Sequence, residues 1–369
     1  MILSTMILSQ ILIKSNRKYK MKKIAIIGCG TIGNTHAGAY NGCEDAKLIY
    51  AVDILPEKAK AFAEKYQIPN VETDYHKMLK DPDIDAVSVC LPNHLHCPVT
   101  IDALKAGKHV LCEKPIALNL EEAVSMKNEA KKQNLQCAIG VVNRFNDNVN
   151  TIKDMISNGD LGKVYHVNLA FQSYRSIPGL GGWFTNKKES GGGVMIDWGI
   201  HFIDLALYCL GSPMPVSMSG VAHSELAKNM KDYAYVSMWA GPPNFDGVYD
   251  VEELVSGFLR TNGPSISFEG AWAKNVNTNN MYIEFLGDKG GIRLNYGADF
   301  MFYSSKDGAL FETKRSQQES SMFQNEINSF VDNITNGKKS RADISNILIT
   351  QAVLDAFYKS SALGTEVKI

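Results

Sequence analysis

Three ionisable residues stand close together in the segment GGGVMIDWGIHFIDL, which runs from Gly191 to Leu205. In a helix of 3.6 residues per turn, Asp197, His201 and Asp204 would lie on one stripe, with mostly apolar residues between them. The pattern predicts a helix that begins near Val194. Its stripe could present a base and a carboxylate to a ligand, or it could be a buried histidine with ordinary helix acids.

A glycine-rich turn is the second candidate for chemistry. Gly28, Gly30 and Gly33 in GCGTIG have the G-x-G-x-x-G spacing, after an apolar run and before a helical pattern. The first glycine permits a tight turn, the second lets a pyrophosphate approach the backbone, and the third lets helix and strand pack closely. Asp53 ends the next strand and is placed to accept both ribose hydroxyls of an adenosine. NAD is preferred over NADP, because no arginine directly follows Asp53 to hold a 2′-phosphate.

The first half of the chain alternates between strands and helices. The runs KKIAIIG, LIYAVD, IDAVSVCLP and HVLCEKP are apolar, and helical patterns separate them, which predicts an α/β domain with a parallel sheet of the Rossmann type. Ligands bind at the carboxyl ends of such strands, where LPNHLH (91–96) and EKP (113–115) lie. Lys114 could place a charge there, although spacing alone favours an ordinary solvent-exposed lysine. His94 and His96 form an H-x-H pair, but no third metal ligand is evident nearby.

The second half of the chain has a different pattern. After residue 145, strand-like runs such as KVYHVNLAFQSY, SISFEGAWA, MYIEFLG and GIRLNYG are separated by turn signals, and helices are expected near 322–336 and 343–362. This predicts an α+β C-terminal domain with a large, mainly antiparallel open sheet. We expect residues 21–142 to form the Rossmann domain and residues 143–369 the second domain, with residues 1–20 an extension outside the fold.

Composition favours a small-molecule ligand. The 369 residues carry a formal net charge of −1, which gives no reason to expect nucleic acid or an anionic membrane as partner. The seven cysteines are odd in number and contain no CxxC pair, which argues against disulfides and zinc and suits a reducing cytoplasm. Cys29, inside the glycine motif, is the one cysteine worth testing for reactivity. The segment 1–20 is apolar and then basic, the reverse of a secretory signal, so a cytoplasmic location is expected.

Together, six segments resemble the glucose-fructose oxidoreductase, inositol dehydrogenase and MocA family. They are GCGTIGNTH at 28–36, the strand-terminal Asp53, LPNHLH, EKP, GGGVMIDWGIHFID at 191–204 and GDKGGIRL at 287–294. The resemblance implies a Rossmann domain, a second domain for substrate binding whose sheet forms homodimers or homotetramers, and a sugar or polyol bound between nicotinamide and sheet. It implies Lys114, Asp197 and His201 as the catalytic set, and a cis peptide bond before Pro115.

The resemblance also implies a role for each of these residues. His201 would take the proton from a sugar hydroxyl while hydride leaves the same carbon for the cofactor, and Lys114 would stabilise the developing alkoxide. Asp197 would bond the same hydroxyl region or favour the charged imidazole, and the glycines before it would make room for a ring-shaped ligand. Asp204 is equally compatible with a role as partner of His201 and with a structural role.

Two larger sets of residues complete the predicted site. The cofactor set, around NAD, contains Gly28, Cys29, Gly30, Thr31, Ile32, Gly33, Asp53, Leu91, Pro92, Asn93, His96, Glu113 and Lys114. The candidate sugar contacts are Arg144, Tyr174, Arg175, Trp183 and Trp198, because aromatic faces suit a pyranose and guanidinium groups suit hydroxyls or a carboxylate. The glycine-rich loop 176–193 has the length of a lid.

Two other functions, and a metal site, are compatible with these residues. In a redox-neutral glycosidase or dehydratase-like enzyme, transient oxidation would acidify a neighbouring C–H bond and the cofactor would be regenerated. In a non-catalytic nucleotide-binding sugar sensor, a lysine aligned with a proton acceptor would have no use. A metal site formed by Asp197, His201 and Asp204 fits the spacing, but it is disfavoured because hydride transfer needs no metal.

Overall fold

Six parallel strands form the first sheet of the computed structural model, which describes residues 21–316 and 320–369. The predicted extension 1–20 lies outside the described residues. The strands are β1 (Lys22–Ile27), β2 (Ala46–Val52), β3 (Asn70–Glu72), β4 (Ala86–Val89), β5 (His109–Glu113) and β6 (Cys137–Gly140), in the order β3-β2-β1-β4-β5-β6. Strands β4 and β6 are buried throughout, as their apolar runs predict. The order reverses next to β1, where the glycine turn begins, and such a point is where open α/β sheets bind ligands.

Helices connect these parallel strands. They are α1 (Thr31–Asn41), α2 (Pro56–Tyr66), α3 (Tyr75–Met78), α4 (His96–Lys105) and α5 (Leu120–Gln133). The helical patterns at 36–42 and 98–106 predict helices that begin at His36 and Pro98. The structure begins the first at Thr31, directly after the glycine turn, and the fourth at His96. The amino end of α1 therefore lies at the carboxyl end of β1, with free backbone amides available to an anion.

The second sheet has nine strands in the described residues, in the order β14-β13-β12-β11-β7-β10-β9-β8-β15. They are β7 (Val164–Gln172), β8 (Pro215–His223), β9 (Leu254–Thr261), β10 (Ser265–Ala271), β11 (Asn280–Gly287), β12 (Gly290–Asn295), β13 (Phe300–Lys306), β14 (Ala309–Arg315) and β15 (Val367–Lys368). Strands β7 and β10 pair in parallel, whereas the other recorded pairs are antiparallel. The α+β prediction is confirmed.

Helices cover one face of the second sheet. The helices of this half are α6 (Asp147–Asn158), α7 (Lys187–Ser190), α8 (Ile200–Cys209), α9 (Met322–Asn336) and α10 (Ile344–Leu363). Of these, α8 and α10 contact the sheet directly, together with a π-helical turn over Met195–Gly199. Phe171 of β7 packs on Phe202 of α8, with ring centroids 5.1 Å apart. Because both rings are fully buried, the sheet holds α8 rigidly against its inner face.

The last third of the chain contributes to both apolar cores. Ile327, Phe330 and Val331 of α9 pack into the cluster that contains Ile24 and Leu48 of the Rossmann sheet, whereas Val353 and Phe357 of α10 join the core of the second sheet. The division at residues 142/143 stays a prediction. The packing shows that the two sheets are joined by helices as well as by the chain connection.

Candidate active site

The glycine turn between β1 and α1 has the geometry of a dinucleotide cradle. Gly28 has φ +101°, and a Cβ there would lie 2.1 Å from the Cys90 carbonyl oxygen. A Cβ at Gly33 would lie 2.1 Å from the Gly28 carbonyl oxygen, so α1 packs directly on the turn. At Gly30 the space is open, with Lys58 Nζ 3.9 Å away. The three glycines therefore do what a pyrophosphate site requires: turn, approach and close packing.

Residues beside these glycines complete the turn. Thr31 and Ile32 begin α1, and the Cys29 amide donates to Asp53 Oδ2 at 3.0 Å. The Cys29 side chain is buried, and burial, followed by the Asp53 charge, raises the pKa of its thiol to about 12. The thiol therefore stays protonated and is a packing group, not a reactive one.

Asp53 lies at the carboxyl end of β2, as predicted. Its Oδ1 accepts the Leu55 amide at 3.0 Å, and Lys58 Nζ lies 3.7 Å from its Oδ2. These contacts fix the carboxylate beside the glycine turn, where it suits ribose hydroxyls. Lys58 was not predicted from the sequence, because it lies five residues after Asp53 and reaches the carboxylate only through the first turn of α2.

Two residues of the predicted cofactor set have other tasks. His96 is fully buried, with Nδ1 2.6 Å from the Pro115 carbonyl oxygen and Nε2 2.9 Å from that of Leu91. Glu113 is also buried and bonds His36 Nε2 at 2.8 Å and the Lys114 amide at 3.1 Å. Both side chains are thus engaged inside the protein, so a cofactor contact of these two residues would have to come from the backbone, and it stays a prediction. They hold the loops after β4 and β5 in place.

The 91–93 loop links the two halves of the molecule. Leu91 and Pro92 follow β4, and Asn93 donates its side-chain amide to the Ser190 carbonyl oxygen at 2.8 Å. Asn93 is buried, so this bond ties the loop to α7. Cofactor contacts by the residues of this loop stay predictions.

Lys114 and Asp197 meet at the carboxyl end of β5. Lys114 Nζ donates to Asp197 Oδ1 at 2.9 Å and to the Asp197 carbonyl oxygen at 3.0 Å. Trp272 Nε1 donates to the other carboxylate oxygen at 3.1 Å. The Lys114–Pro115 bond is cis, as the family resemblance implies. The structure therefore brings together two of the three predicted catalytic residues and adds Trp272, which no sequence signal marked.

The turn that carries Asp197 is π-helical, not α-helical. Residues Met195–Gly199 form it, and the Ile200 amide bonds the Met195 carbonyl, five residues back. A wider turn moves Asp197 off the stripe expected from 3.6-residue spacing, and such turns often occur at functional sites. The expectation of one regular helix from Val194 is corrected in this respect.

Two of the glycines before this turn lie directly against other groups of the protein. A Cβ at Gly193 would lie 1.9 Å from the Glu252 carbonyl oxygen, and one at Gly192 would lie 2.0 Å from the Tyr358 hydroxyl. Glu252 Oε1 accepts the amides of Gly193 and Met195 at 3.0 and 3.1 Å, and the Tyr358 hydroxyl at 2.8 Å. Gly193 thus makes room for the Glu252 backbone and Gly192 for the Tyr358 hydroxyl, while the Glu252 carboxylate caps the start of the helical segment.

Asp204 and Arg144 form a buried ion pair. Arg144 Nε and Nη2 donate to the two carboxylate oxygens at 2.9 and 2.7 Å, and both side chains are 2% exposed. Thr350 also donates to Asp204, at 3.0 Å. The prediction of Arg144 as a sugar contact is therefore wrong. Of the two roles left open for Asp204, partner of His201 and structural acid, these contacts support the structural one. The described residues contain no cluster of three His, Cys, Asp or Glu side chains placed to hold a metal.

His201 lies on the first turn of α8. Its Nδ1 is 3.3 Å from Asn143 Nδ2, and the same Nδ2 donates to the Tyr296 hydroxyl at 2.9 Å. Burial lowers the pKa of His201 well below its usual range, and the charge of Lys114 lowers it further. His201 is therefore a neutral imidazole at neutral pH, and it is close enough to Lys114 to respond to its charge.

The remaining candidate sugar contacts are partly exposed. Arg175 bonds Asn275 and lies over the Tyr233 ring at 5.4 Å, and Trp183 contacts Phe184 with centroids 3.8 Å apart. Trp198 packs against the core of the second sheet, and the Tyr174 amide bonds Asn279 at 3.0 Å. No contact recorded for these four side chains excludes a sugar, and none requires one.

The loop 176–193 is packed, not free. Ile177 and Leu180 are buried, and the Asn244 amide bonds the Leu180 carbonyl at 2.8 Å. Thr185 donates to the Val248 carbonyl oxygen at 2.8 Å. The long segment between β8 and β9 therefore covers this loop, which gives the lid expectation no support.

Several residues of the site were not found from the sequence. They are Lys58, Asn143, Glu252, Trp272, Tyr296 and Tyr358. Each is a residue type that is common in cores and on surfaces, and all but Lys58 reach the site over a long sequence separation. Only the NRF segment after β6 offered a hint, because it ends a Rossmann strand as the other site loops do.

Two family models match the chain. One, described as an oxidoreductase family with an NAD-binding Rossmann fold, covers residues 22–141. The other, described as a GFO/IDH/MocA C-terminal domain, covers residues 149–293. Both halves of the described fold are thus matched, in the order seen in the structure.

Similarity to individual proteins extends the match beyond the two family models. The chain is 31% identical to the D-glucoside 3-dehydrogenase of Escherichia coli over 351 residues, 94% of this chain and 97% of that protein. It is 29% identical to the levoglucosan dehydrogenase of Pseudarthrobacter phenanthrenivorans over 74% of this chain and 73% of that one. A solved levoglucosan dehydrogenase in complex with NADH and levoglucosan superposes with a TM-score of 0.83 at 22% identity, covering 95% of this chain and 100% of that one. The last comparison establishes a shared fold.

Proposed function

The chain belongs to the glucose-fructose oxidoreductase, inositol dehydrogenase and MocA family of NAD-binding oxidoreductases, and we propose that it transfers a hydride from a CH–OH group of a sugar or polyol to NAD. The observation that carries the proposal is the Lys114 ammonium, bonded to Asp197 at 2.9 Å at the end of β5 and near the neutral His201. A fixed cation beside an uncharged imidazole is what alcohol oxidation requires.

The proposed roles follow from these contacts. His201 accepts the hydroxyl proton on its Nε2, while the electron pair of the C–H bond leaves as hydride. Lys114 donates a hydrogen bond to the developing alkoxide. Bound NAD supplies the acceptor for the hydride. Asp197 orients the lysine, because its two oxygens are engaged by Lys114 and Trp272, and it does not make the direct hydroxyl contact that the family resemblance implies.

A pyranoside is the substrate class that we propose. The relative matched over 94% of this chain is named a glucoside dehydrogenase, and the relative matched over 74% is named a levoglucosan dehydrogenase. Tyr174, Trp183 and Trp198 are proposed as the aromatic surfaces that meet the C–H face of the ring, and Arg175 as a donor to its hydroxyls.

The test is reduction of NAD and NADP, followed by near-ultraviolet absorbance, across glucosides, levoglucosan, inositols, aldoses and uronic acids. His201→Ala is expected to abolish turnover, whereas His76→Ala, which removes an exposed histidine of α3, serves as the matched control. Binding of NAD with no net reduction of any compound would overturn the proposal. Cleavage of a glycoside without NADH release would indicate the redox-neutral alternative.

We also propose that the outer face of the second sheet joins two copies of the chain. Inner-face residues such as Ile266 and Phe268 are buried under helices, whereas Ser267 and Glu269 point to the other face. That face is a shallow depression of small, polar and aromatic residues: Asn168, Ser219, Val221, Ser256, Phe258, Ser267, Glu269 and Tyr282.

No helix in the part of the chain that the structure describes is long and apolar enough to cross a membrane.

A further inference from the structure

His201 is connected to a polar chain that the proposed reaction has not yet used. Asn143 lies in the short 3-10 helix after β6 and is buried. Its side-chain amide lies between His201 Nδ1, at 3.3 Å, and the Tyr296 hydroxyl, at 2.9 Å. The three residues come from the end of the Rossmann sheet, from α8 and from the turn after β12, so the contact forms only where the two sheets meet.

Tyr296 is fixed more firmly than a surface tyrosine. Its ring stacks on Phe202, with centroids 4.6 Å apart and planes at 21°. Burial, partly offset by the bond to Asn143 and reinforced by the charge of Asp197, raises the pKa of Tyr296 to about 12. The hydroxyl is therefore protonated at neutral pH. It can donate one hydrogen bond and accept others, so it can satisfy either end of the Asn143 amide.

The identity of the amide atom that faces His201 determines the tautomer of the imidazole. If Nδ2 faces the ring, Nδ1 has to accept, the ring proton sits on Nε2, and Nε2 has no lone pair for a hydroxyl proton. If the amide is rotated by half a turn, Oδ1 accepts from Nδ1–H and from the Tyr296 hydroxyl, and Nε2 keeps its lone pair. The two orientations have the same shape, so hydrogen-bond chemistry has to choose between them.

The protonated state of the base favours the second orientation. After His201 accepts a proton, both ring nitrogens carry hydrogen, and Nδ1–H then needs an acceptor. Of the two ends of the Asn143 amide, only Oδ1 can accept the Nδ1–H hydrogen bond of His201 both before and after proton transfer. No group of the described residues is recorded as bonding Nε2. That nitrogen is therefore the one left for the substrate.

We propose that Asn143 is a positioning residue that selects the Nδ1–H tautomer of His201, and that Tyr296 holds the Asn143 amide in the orientation that does so. This inference rests on the proposed function for its catalytic consequence, but the tautomer itself is a property of the protein alone. Besides Tyr296, the ionisable groups around the ring are Lys114 on the loop after β5 and Asp197 in the π turn. Arg144, next to Asn143, is neutralised by Asp204.

The first experiment reads the tautomer directly. Two-bond nitrogen–proton NMR spectra of the full-length ¹⁵N-labelled protein distinguish Nδ1–H from Nε2–H imidazole, and His201→Gln identifies the signal. We expect wild type to be Nδ1–H and Asn143→Leu to lose that preference. A wild-type Nε2–H ring, or an Nδ1–H ring that is unchanged in Asn143→Leu, would overturn the proposal whether or not the protein oxidises sugars.

The second experiment uses a variant that keeps the acceptor. Asn143→Asp can only accept from Nδ1–H, and its charge stabilises the imidazolium, so the pKa of His201 should rise by about one unit or more. Its kcat should approach the wild-type value at high pH, and its acid limb should lie at higher pH than that of wild type. Asn143→Leu should lose about 100-fold in kcat at all pH values, with KM changed much less. Tyr296→Phe is a milder change, and its kcat should lie between those of wild type and Asn143→Leu.

A merely structural role of Asn143 predicts a different outcome. Both Asn143 variants would then unfold at lower denaturant, and their pH profiles would keep the wild-type shape. An acid limb that does not move in Asn143→Asp, in protein shown to be folded, would overturn the proposal. Loss of NAD reduction in wild type itself would instead count against the proposed function, since the NMR result does not depend on turnover.

Discussion

The ammonium of Lys114 bonds the carboxylate of Asp197 at 2.9 Å and its carbonyl oxygen at 3.0 Å, although the two residues are 83 positions apart. The contact joins the end of a Rossmann strand to the π turn that precedes α8. One side chain is thus held by two atoms of the same residue, which fixes both its direction and its depth in the cleft.

Asp197→Asn should impair catalysis more than it impairs cofactor binding. The amide keeps the shape of the carboxylate but not its charge, so the lysine is held less firmly, and we expect kcat to fall about 10- to 100-fold. Trp272→Phe removes the neutral donor to Oδ2 together with part of a fully buried ring, and in protein shown to be folded kcat should fall less than about tenfold. Steady-state rates and the Kd for NAD check both. A kcat for Asp197→Asn equal to that of wild type would refute this role.

The oxidation rate should resist acid more than an ordinary histidine base would allow. Burial and Lys114 lower the pKa of His201, and the base works when neutral. Activity should therefore persist as pH falls through about 6.5, the usual histidine value, and decline only at lower pH. Lys114→Met removes the positive charge, so the acid limb of log kcat/KM should move to higher pH. An unmoved limb in this variant would disprove the coupling.

Cofactor preference should depend on Asp53 and Lys58 in opposite ways. The carboxylate favours free ribose hydroxyls and repels a 2′-phosphate, whereas Lys58, 3.7 Å from it, would attract one. Asp53→Ser should lower kcat/KM for NAD about tenfold and improve NADP use. Lys58→Ala should increase the ratio of kcat/KM with NAD to kcat/KM with NADP. Initial rates with both cofactors test this, and an Asp53→Ser variant with unchanged preference would be the contrary result.

Arg144 should matter for stability and not for sugar binding. Arg144→Met leaves Asp204 buried without its partner, and the free energy of unfolding should fall by about 3–5 kcal/mol. Arg144→Met combined with Asp204→Leu should recover part of that loss, since no charge then remains buried. Urea denaturation measures both. Normal stability with a raised KM for sugar in Arg144→Met would restore the sequence-based assignment.

A charge on the outer face of the second sheet should separate the proposed dimer. Val221 is exposed on β8 within the depression, so Val221→Arg would place two like charges against each other across a symmetric interface. We expect a lower molar mass in analytical ultracentrifugation. Leu363→Arg, at the exposed end of α10, is the matched control. A wild-type protein that is monomeric at micromolar concentration would refute the proposal.

Much of the site could be predicted because it is built from strand ends. GCGTIG, Asp53 and EKP each follow an apolar run, and the carboxyl ends of parallel strands meet at one edge, so local patterns were enough to place them together. The alternation of strands and helices likewise predicts a Rossmann sheet. Short-range periodicity indicates burial and local backbone geometry, and these two properties are enough to place strand ends at one edge of a sheet.

Only the tertiary structure decided how the side chains are paired. Asp204 bonds Arg144 instead of sharing a stripe with Asp197, since a π turn breaks the 3.6-residue period between them. The glycines at 192 and 193 lie against the Tyr358 hydroxyl and the Glu252 backbone. Asn143, Trp272 and Tyr296 reach the site from positions 58–153 residues away from their partners. Such contacts are selected by the packing of two sheets and their helices, and no local sequence period carries information about that packing.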